Sequence, residues 1–81
     1  MSTTVTEEQV EKVVIESLET FGADPKLIAP HATFEELDVD SLDLAELAQI
    51  VHEQFAVELK GADVAGVKTV EDAIKLIASR L

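Results

Sequence analysis

The sequence predicts an all-α fold: a small helical bundle of three main helices plus one short helix, in a single domain over residues 1–81. Three observations lead there. Apolar residues recur at helical spacing in three separate segments. Each of those segments opens on a Thr or Asp suited to cap a helix. No alternating run is long enough for a strand; "FAVEL" at 55–59 is too short.

The first helix is expected over residues 7–21. Thr6 and Gln9 fit a capping box, and Val5 and Val10 stand at the staple positions. Val10, Val13, Val14, Leu18 and Phe21 make one apolar stripe. Gly22 follows, where a left-handed C-terminal cap belongs. Residues 22–40 show no sustained period. Asp24-Pro25 starts a single turn that Pro30 ends. Leu27, Ile28, Phe34 and Leu37 predict a packed loop, although its length is unusual for a compact domain.

The second helix is expected after Asp40, a good N-cap. Asp43 adds negative charge in the first turn, where the helix dipole favours it. Leu44, Leu47, Ala48, Val51 and Phe55 form its buried stripe. Ala56 to Lys60 leave the helix, and Gly61 to Gly66 hold at most one turn around Val64. Thr69 caps the last helix, whose stripe is Val70, Ala73, Ile74, Ile77 and Leu81.

Composition narrows the function. A chain of 81 residues buries roughly 60% of its unfolded surface, so the core is thin. The formal net charge of −11 disfavours nucleic acid and anionic membranes and favours basic protein partners or cations. Cysteine is absent, which removes disulfides, thiol nucleophiles and zinc–thiolate sites. The N-terminal "MSTTVTEEQVEK" lacks a charged-then-apolar signal peptide, and no apolar run approaches the length of a membrane span, so a soluble cytoplasmic protein is expected; a monomer is the expected state.

The stretch "FEELDVDSLDLAEL", residues 34–47, places one serine among carboxylates. A nucleophilic serine needs a base within hydrogen-bond reach. His52 lies eleven residues along the same helix, about 16 Å away. His31 sits in the long loop with no evident third group to orient it, and no G-x-S-x-G elbow occurs. An EF-hand fails as well: its fifth and sixth positions would be Leu42 and Asp43 rather than an oxygen ligand and glycine. Weak divalent-cation binding at Glu35, Asp38 and Asp40 is the remaining metal expectation. Ser41 follows the cap directly, with Leu42 beside it and away from the core stripe. An exposed hydroxyl there suits modification by another enzyme better than self-catalysis.

"LDVDSLDLAEL" resembles the attachment motif of acyl carrier proteins, Asp-Ser-Leu at the head of the second helix. The long loop with "FEEL", the exit "FAVEL" and the opening "KTVEDAI" fall in the family's order. The resemblance implies that Ser41 carries a 4′-phosphopantetheine arm through a phosphodiester, flanked by Asp40 and Leu42, with acyl groups held as thioesters at the arm's end. It implies docking of Asp43, Glu46 and Glu53 on basic patches of a phosphopantetheinyl transferase, an acyltransferase, a ketoacyl synthase, reductases and a dehydratase. Leu47, Val51, Val64 and Ile74 are the expected lining for a sequestered chain. The sequence departs from the family where Asp38 replaces a frequent glycine and where Ala45, Gln49 and His52 alter the second helix. "GADVAGV" also holds one acid where bacterial fatty-acid carriers hold several. Fatty acid synthesis is the expected pathway. Polyketide, specialised-lipid or aminoacyl and peptidyl carriage on the same scaffold is the alternative. An unmodified acidic helical adaptor and a hydrolase using Ser41 are the readings from other classes.

Overall fold

A computed structural model describes residues 7–81; the Val5 and Thr6 capping expectations lie outside the described residues. Four helices follow in order: α1 Glu7–Thr20, α2 Ser41–Phe55, α3 Gly61–Ala65 and α4 Val70–Ser79. Helix α1 packs mainly on α4, while α3 packs on α2.

Local chemistry sets the ends of these helices. After α1, Gly22 adopts φ 102°. The Ala23 N–H reaches the Leu18 carbonyl at 3.0 Å and the Gly22 N–H reaches Glu19 at 3.0 Å, the paired bonds of a Schellman motif. Helix α1 therefore ends at Thr20, one residue short of the expected boundary. Thr69 caps α4: its Oγ1 accepts from the Asp72 N–H at 3.1 Å, and the Asp72 carboxylate accepts from the Thr69 N–H at 3.2 Å. The Thr69 N–H bond, with the Thr69 hydroxyl after it, holds the Asp72 carboxyl below its ordinary pKa. Leu81 lies beyond the end of α4 and is about half exposed, so it leaves the expected stripe.

The core is aliphatic. Val10, Val14 and Leu18 of α1 are fully buried, as are Val51 of α2 and Ile77 of α4. Burying each such side chain stabilises the fold by roughly 1.5–3 kcal/mol. Val13 and Phe21 are only half-buried, because the stripe on α1 is narrower than its apolar count suggests. Ser17 is the buried polar residue, satisfied by donating to the Val13 carbonyl at 2.8 Å.

The long loop is packed, as its apolar content predicts, with Phe34 and Leu37 buried. Leu27 is the exception at 55% exposure: the turn begun by Asp24, whose Oδ1 accepts from the Lys26 N–H at 2.9 Å, carries it outward. Backbone bonds tie the loop to the start of α4, from Phe34 N–H to the Lys68 carbonyl, from Val70 N–H to Ala32 and from Glu71 N–H to Pro30. The antiparallel bridge Thr33–Thr69 is the result. This seam fixes the segment that leads into α2.

Candidate functional site

The path to Ser41 is built residue by residue. Thr33 and Glu36 cap one turn of the loop: the Thr33 N–H donates to Glu36 Oε1 at 2.9 Å, and the Glu36 N–H donates to Thr33 Oγ1 at 3.0 Å. The Thr33 backbone and hydroxyl bonds hold the Glu36 carboxyl below its ordinary pKa. Asp38 then turns the chain with φ 59°. This is the position where the sequence departs from a family glycine, and the left-handed backbone is the one glycine would take freely. Asp is among the few other residues that enter it readily. Val39 is buried behind the turn, its N–H on the Phe34 carbonyl at 2.9 Å.

Asp40 is the N-cap of α2. Its Oδ1 accepts from the Asp43 N–H at 3.0 Å, and Asp43 Oδ2 accepts from the Asp40 N–H at 3.4 Å. The capping box makes Ser41 the first helical residue, with its hydroxyl exposed. Leu42 beside it is 78% exposed. Leu42, Glu46, Gln49 and Glu53 share one exposed face of α2, three or four residues apart. Glu46 and Glu53 are exposed on that face, whereas Asp43 is half-buried and already occupied by the cap.

Ser41 also borders an open groove of about 470 Å³ between α2 and α3, lined by Leu44, Ala45, Ala48, Leu59, Lys60, Gly61, Val64, Ala65 and Val67. Below it lies a crevice of only about 20 Å³ with an entirely apolar lining that includes Leu47, Val64, Ala73, Leu76 and Ile77. Leu44, Ala48, Leu59, Val64 and Val67 belong to both. The groove is therefore the mouth and the crevice the floor of one apolar path that starts at Ser41. The crevice has room for about one water molecule, so a larger guest must push α2, α3 and α4 apart.

Of the expected pocket residues, the structure brings Val64 and Leu47 to this path. Val51 is fully buried in the core and borders neither space. Ile74 faces a separate 70 Å³ crevice with Ile15, Ile28 and Pro30. Reading every apolar stripe as core hid Leu44 and Ala48, which are half-buried and form the groove wall. Leu59, Lys60 and Val67 were also missed. The apolar residues flanking the weak 61–66 segment were the available signal for two of them.

Helix α3 has no buried residue. It is fastened by Arg80, whose Nη1 and Nη2 donate to Asp63 Oδ2 and Oδ1 at 2.8 and 2.7 Å. Nη1 also approaches the Glu58 carbonyl at 3.4 Å. The Arg80 hydrogen bonds, with the Lys60 N–H bond after them, hold the Asp63 carboxyl below its ordinary pKa.

The expected cation site at Glu35, Asp38 and Asp40 is not formed. Among the described residues no three acidic or histidine side chains are grouped to hold a metal ion. Asp40 and Asp43 are instead spent on the cap of α2. Among the same residues, no helix is long and apolar enough to cross a membrane.

The serine fits a phosphodiester-linked arm. Its hydroxyl is accessible, it stands at a helix N-terminus whose dipole favours an attached anion, and an apolar path opens beside it. Comparison with known proteins agrees. The family model described as a phosphopantetheine attachment site matches residues 10–77. The acyl carrier protein of Phenylobacterium zucineum is 40% identical over 75 residues, covering 91% of each chain. That of Zymomonas mobilis is 37% identical over 73 residues, covering 89% of this chain and 90% of the relative. The crystal structure of an acyl carrier protein from Thermotoga maritima superposes with a TM-score of 0.74 at 24% identity, over 91% of this chain and 87% of that one. The solution structure of the acetyl actinorhodin acyl carrier protein from Streptomyces coelicolor gives 0.68 at 26% identity, over 99% and 94%. The helical bundle, the serine at the head of α2 and the match over most of the length establish that this chain belongs to the acyl carrier protein family, whose members are carriers of a phosphopantetheine group rather than enzymes.

Proposed function

We propose that residues 1–81 act as one cytoplasmic, monomeric carrier domain for fatty acid synthesis, with 4′-phosphopantetheine on Ser41. The observation that carries this reading is the exposed Ser41 hydroxyl at the mouth of an apolar groove. Coenzyme A is the donor: a transferase joins Ser41 Oγ to the pantetheine phosphate, the proton leaves the hydroxyl, and 3′,5′-adenosine diphosphate departs. The arm's thiol then holds acyl groups as thioesters. Asp40 fixes the helix start and Leu42 offers an apolar contact to the enzyme that docks there. The acyl chain enters the path lined by Leu47 and Val64.

The carrier has to meet and leave a transferase, an acyltransferase, a ketoacyl synthase, reductases and a dehydratase. Exposed pairs of Glu46, Glu53 and the outer edge of Asp43 with basic patches suit that role. Each such pair is worth about 0–1 kcal/mol, and together they speed and orient encounter without slowing release.

One observation favours the second reading, a polyketide, specialised-lipid or aminoacyl carrier. The only acid of α3, Asp63, is bound by Arg80, so the acidic docking face is confined to α2. Partners that read acids on both helices lose part of their footprint.

The test is intact mass after incubation with a phosphopantetheinyl transferase and coenzyme A. Wild type gains the arm's mass once, and Ser41→Ala gains nothing. Gain by the Ala variant overturns the assignment, and no gain by wild type favours the unmodified adaptor. Transfer rates to ketoacyl synthases of the two pathways separate the first reading from the second.

A further inference from the structure

The groove beside Ser41 is apolar apart from two side chains, Ser41 itself and Lys60. In a chain of 17 acidic and six basic residues, its one charged lining residue is a cation. The backbone holds this lysine in place. Its N–H donates to Asp63 Oδ2 at 3.0 Å, and its carbonyl accepts from the Asp63 and Val64 N–H groups at 3.0 and 3.1 Å. Asp63, three residues on, feels its charge, but both Asp63 oxygens are bound by Arg80 and Lys60 forms no ion pair with them. The ion pairs among the described residues are Lys75–Glu71 and Arg80–Asp63, and Lys60 is in neither.

We infer that Lys60 is a positioning residue for the arm, its ammonium pairing with the phosphodiester on Ser41 across the mouth of the groove. This rests on the reading of Ser41 as the attachment point. The pairing answers an electrostatic problem. A phosphodiester on Ser41 stands between Asp40 and Asp43, whose carboxylates already cap α2. The helix dipole offsets part of that repulsion. A cation on the opposite wall offsets more, and it draws the start of the arm over the groove rather than out into solvent. The long apolar stem of Lys60 can lie along the groove wall while its head stays wet. Lys68 is the natural control: it lies beside Thr33, Phe34, Glu35 and Val67 and does not border the groove of Ser41.

The experiment uses the full chain in unmodified and phosphopantetheinylated forms, with loading verified by intact mass. The phosphorus resonance of the arm is recorded for wild type, Lys60→Gln, Lys60→Arg and Lys68→Gln. The resonance is expected to move in Lys60→Gln, to return towards wild type in Lys60→Arg, and to stay in place in Lys68→Gln. A fully loaded Lys60→Gln protein whose phosphorus signal matches wild type overturns this inference and leaves the attachment reading standing. A wild-type protein that gains no mass overturns both.

Discussion

At Ala56, the C-cap of α2, the chain takes a left-handed conformation with φ 59° and ψ 29°, its N–H on the His52 carbonyl at 2.9 Å. A Cβ disfavours that geometry, and glycine relieves it. Ala56→Gly is expected to stabilise the protein by about 0.5–1 kcal/mol in urea unfolding. Gly22→Ala is expected to do the reverse, with a loss of about 1–2 kcal/mol. A Cβ at Gly22 meets nothing within 4 Å, so the loss there is conformational rather than steric. The same scale separates Asp40 from Ser41. Asp40→Ala removes the side-chain acceptor for the Asp43 N–H and should lower stability by about 1 kcal/mol. Ser41→Ala should not lower stability, since Asp40 rather than Ser41 caps the helix and Ala is the better helix former.

Among the elements, the starts of α2 and α4 and the Schellman turn after α1 are legible in the sequence because their causes are local: a cap, a charge three residues on, a glycine. The seam between the long loop and α4 was not legible, since it depends on backbone pairing between Phe34 and Lys68. Nor was the hold on α3. Asp63 reads as a lone acid in a weak segment until the fold brings Arg80, 17 residues away, onto both its oxygens. The pocket residues divide in the same way. Val64 and Leu47 lie along the apolar path, whereas the depth of Val51 and the opposite aspect of Ile74 follow from tertiary packing.

Arg80→Gln should free α3 without unfolding the bundle, so hydrogen exchange should quicken at Val64 and Ala65 and stay unchanged along α1 and α4. The pair also has a defined pH window. The Asp63 carboxyl is lowered from an ordinary value of 3.8 in the folded state. Its contribution is therefore complete above that value and disappears as pH falls through the lower folded one. The stability difference between wild type and Arg80→Gln should be constant at neutral pH and close below about pH 4. A difference that persists undiminished in acid would contradict the assigned pair.

Over the whole molecule, a net charge of −11 on 81 residues loads the fold with self-repulsion. Glu35, Asp38 and Asp40 form no metal site, yet their charges still add to that repulsion. Raising the salt from low to moderate concentration should therefore raise Tm, by about 4–8 °C for each kcal/mol of repulsion relieved. A Tm that is flat or falls over that range contradicts this account.

On the proposed function, the bundle shelters the acyl chain as well as tethering it. Burial is worth about 0.8 kcal/mol per methylene, so six buried methylenes give about 5 kcal/mol gross. That is of the order of the whole stability of a small domain, roughly 5–15 kcal/mol. Part is lost in widening the 20 Å³ crevice beneath the groove. The direct measurement is the unfolding free energy of the protein carrying acetyl, hexanoyl and octanoyl arms on Ser41. Stability should rise from acetyl to octanoyl as the chain fills the path lined by Leu44, Leu47, Val64 and Val67. Identical unfolding of all three would place the chain outside the bundle and reduce the protein to a tether.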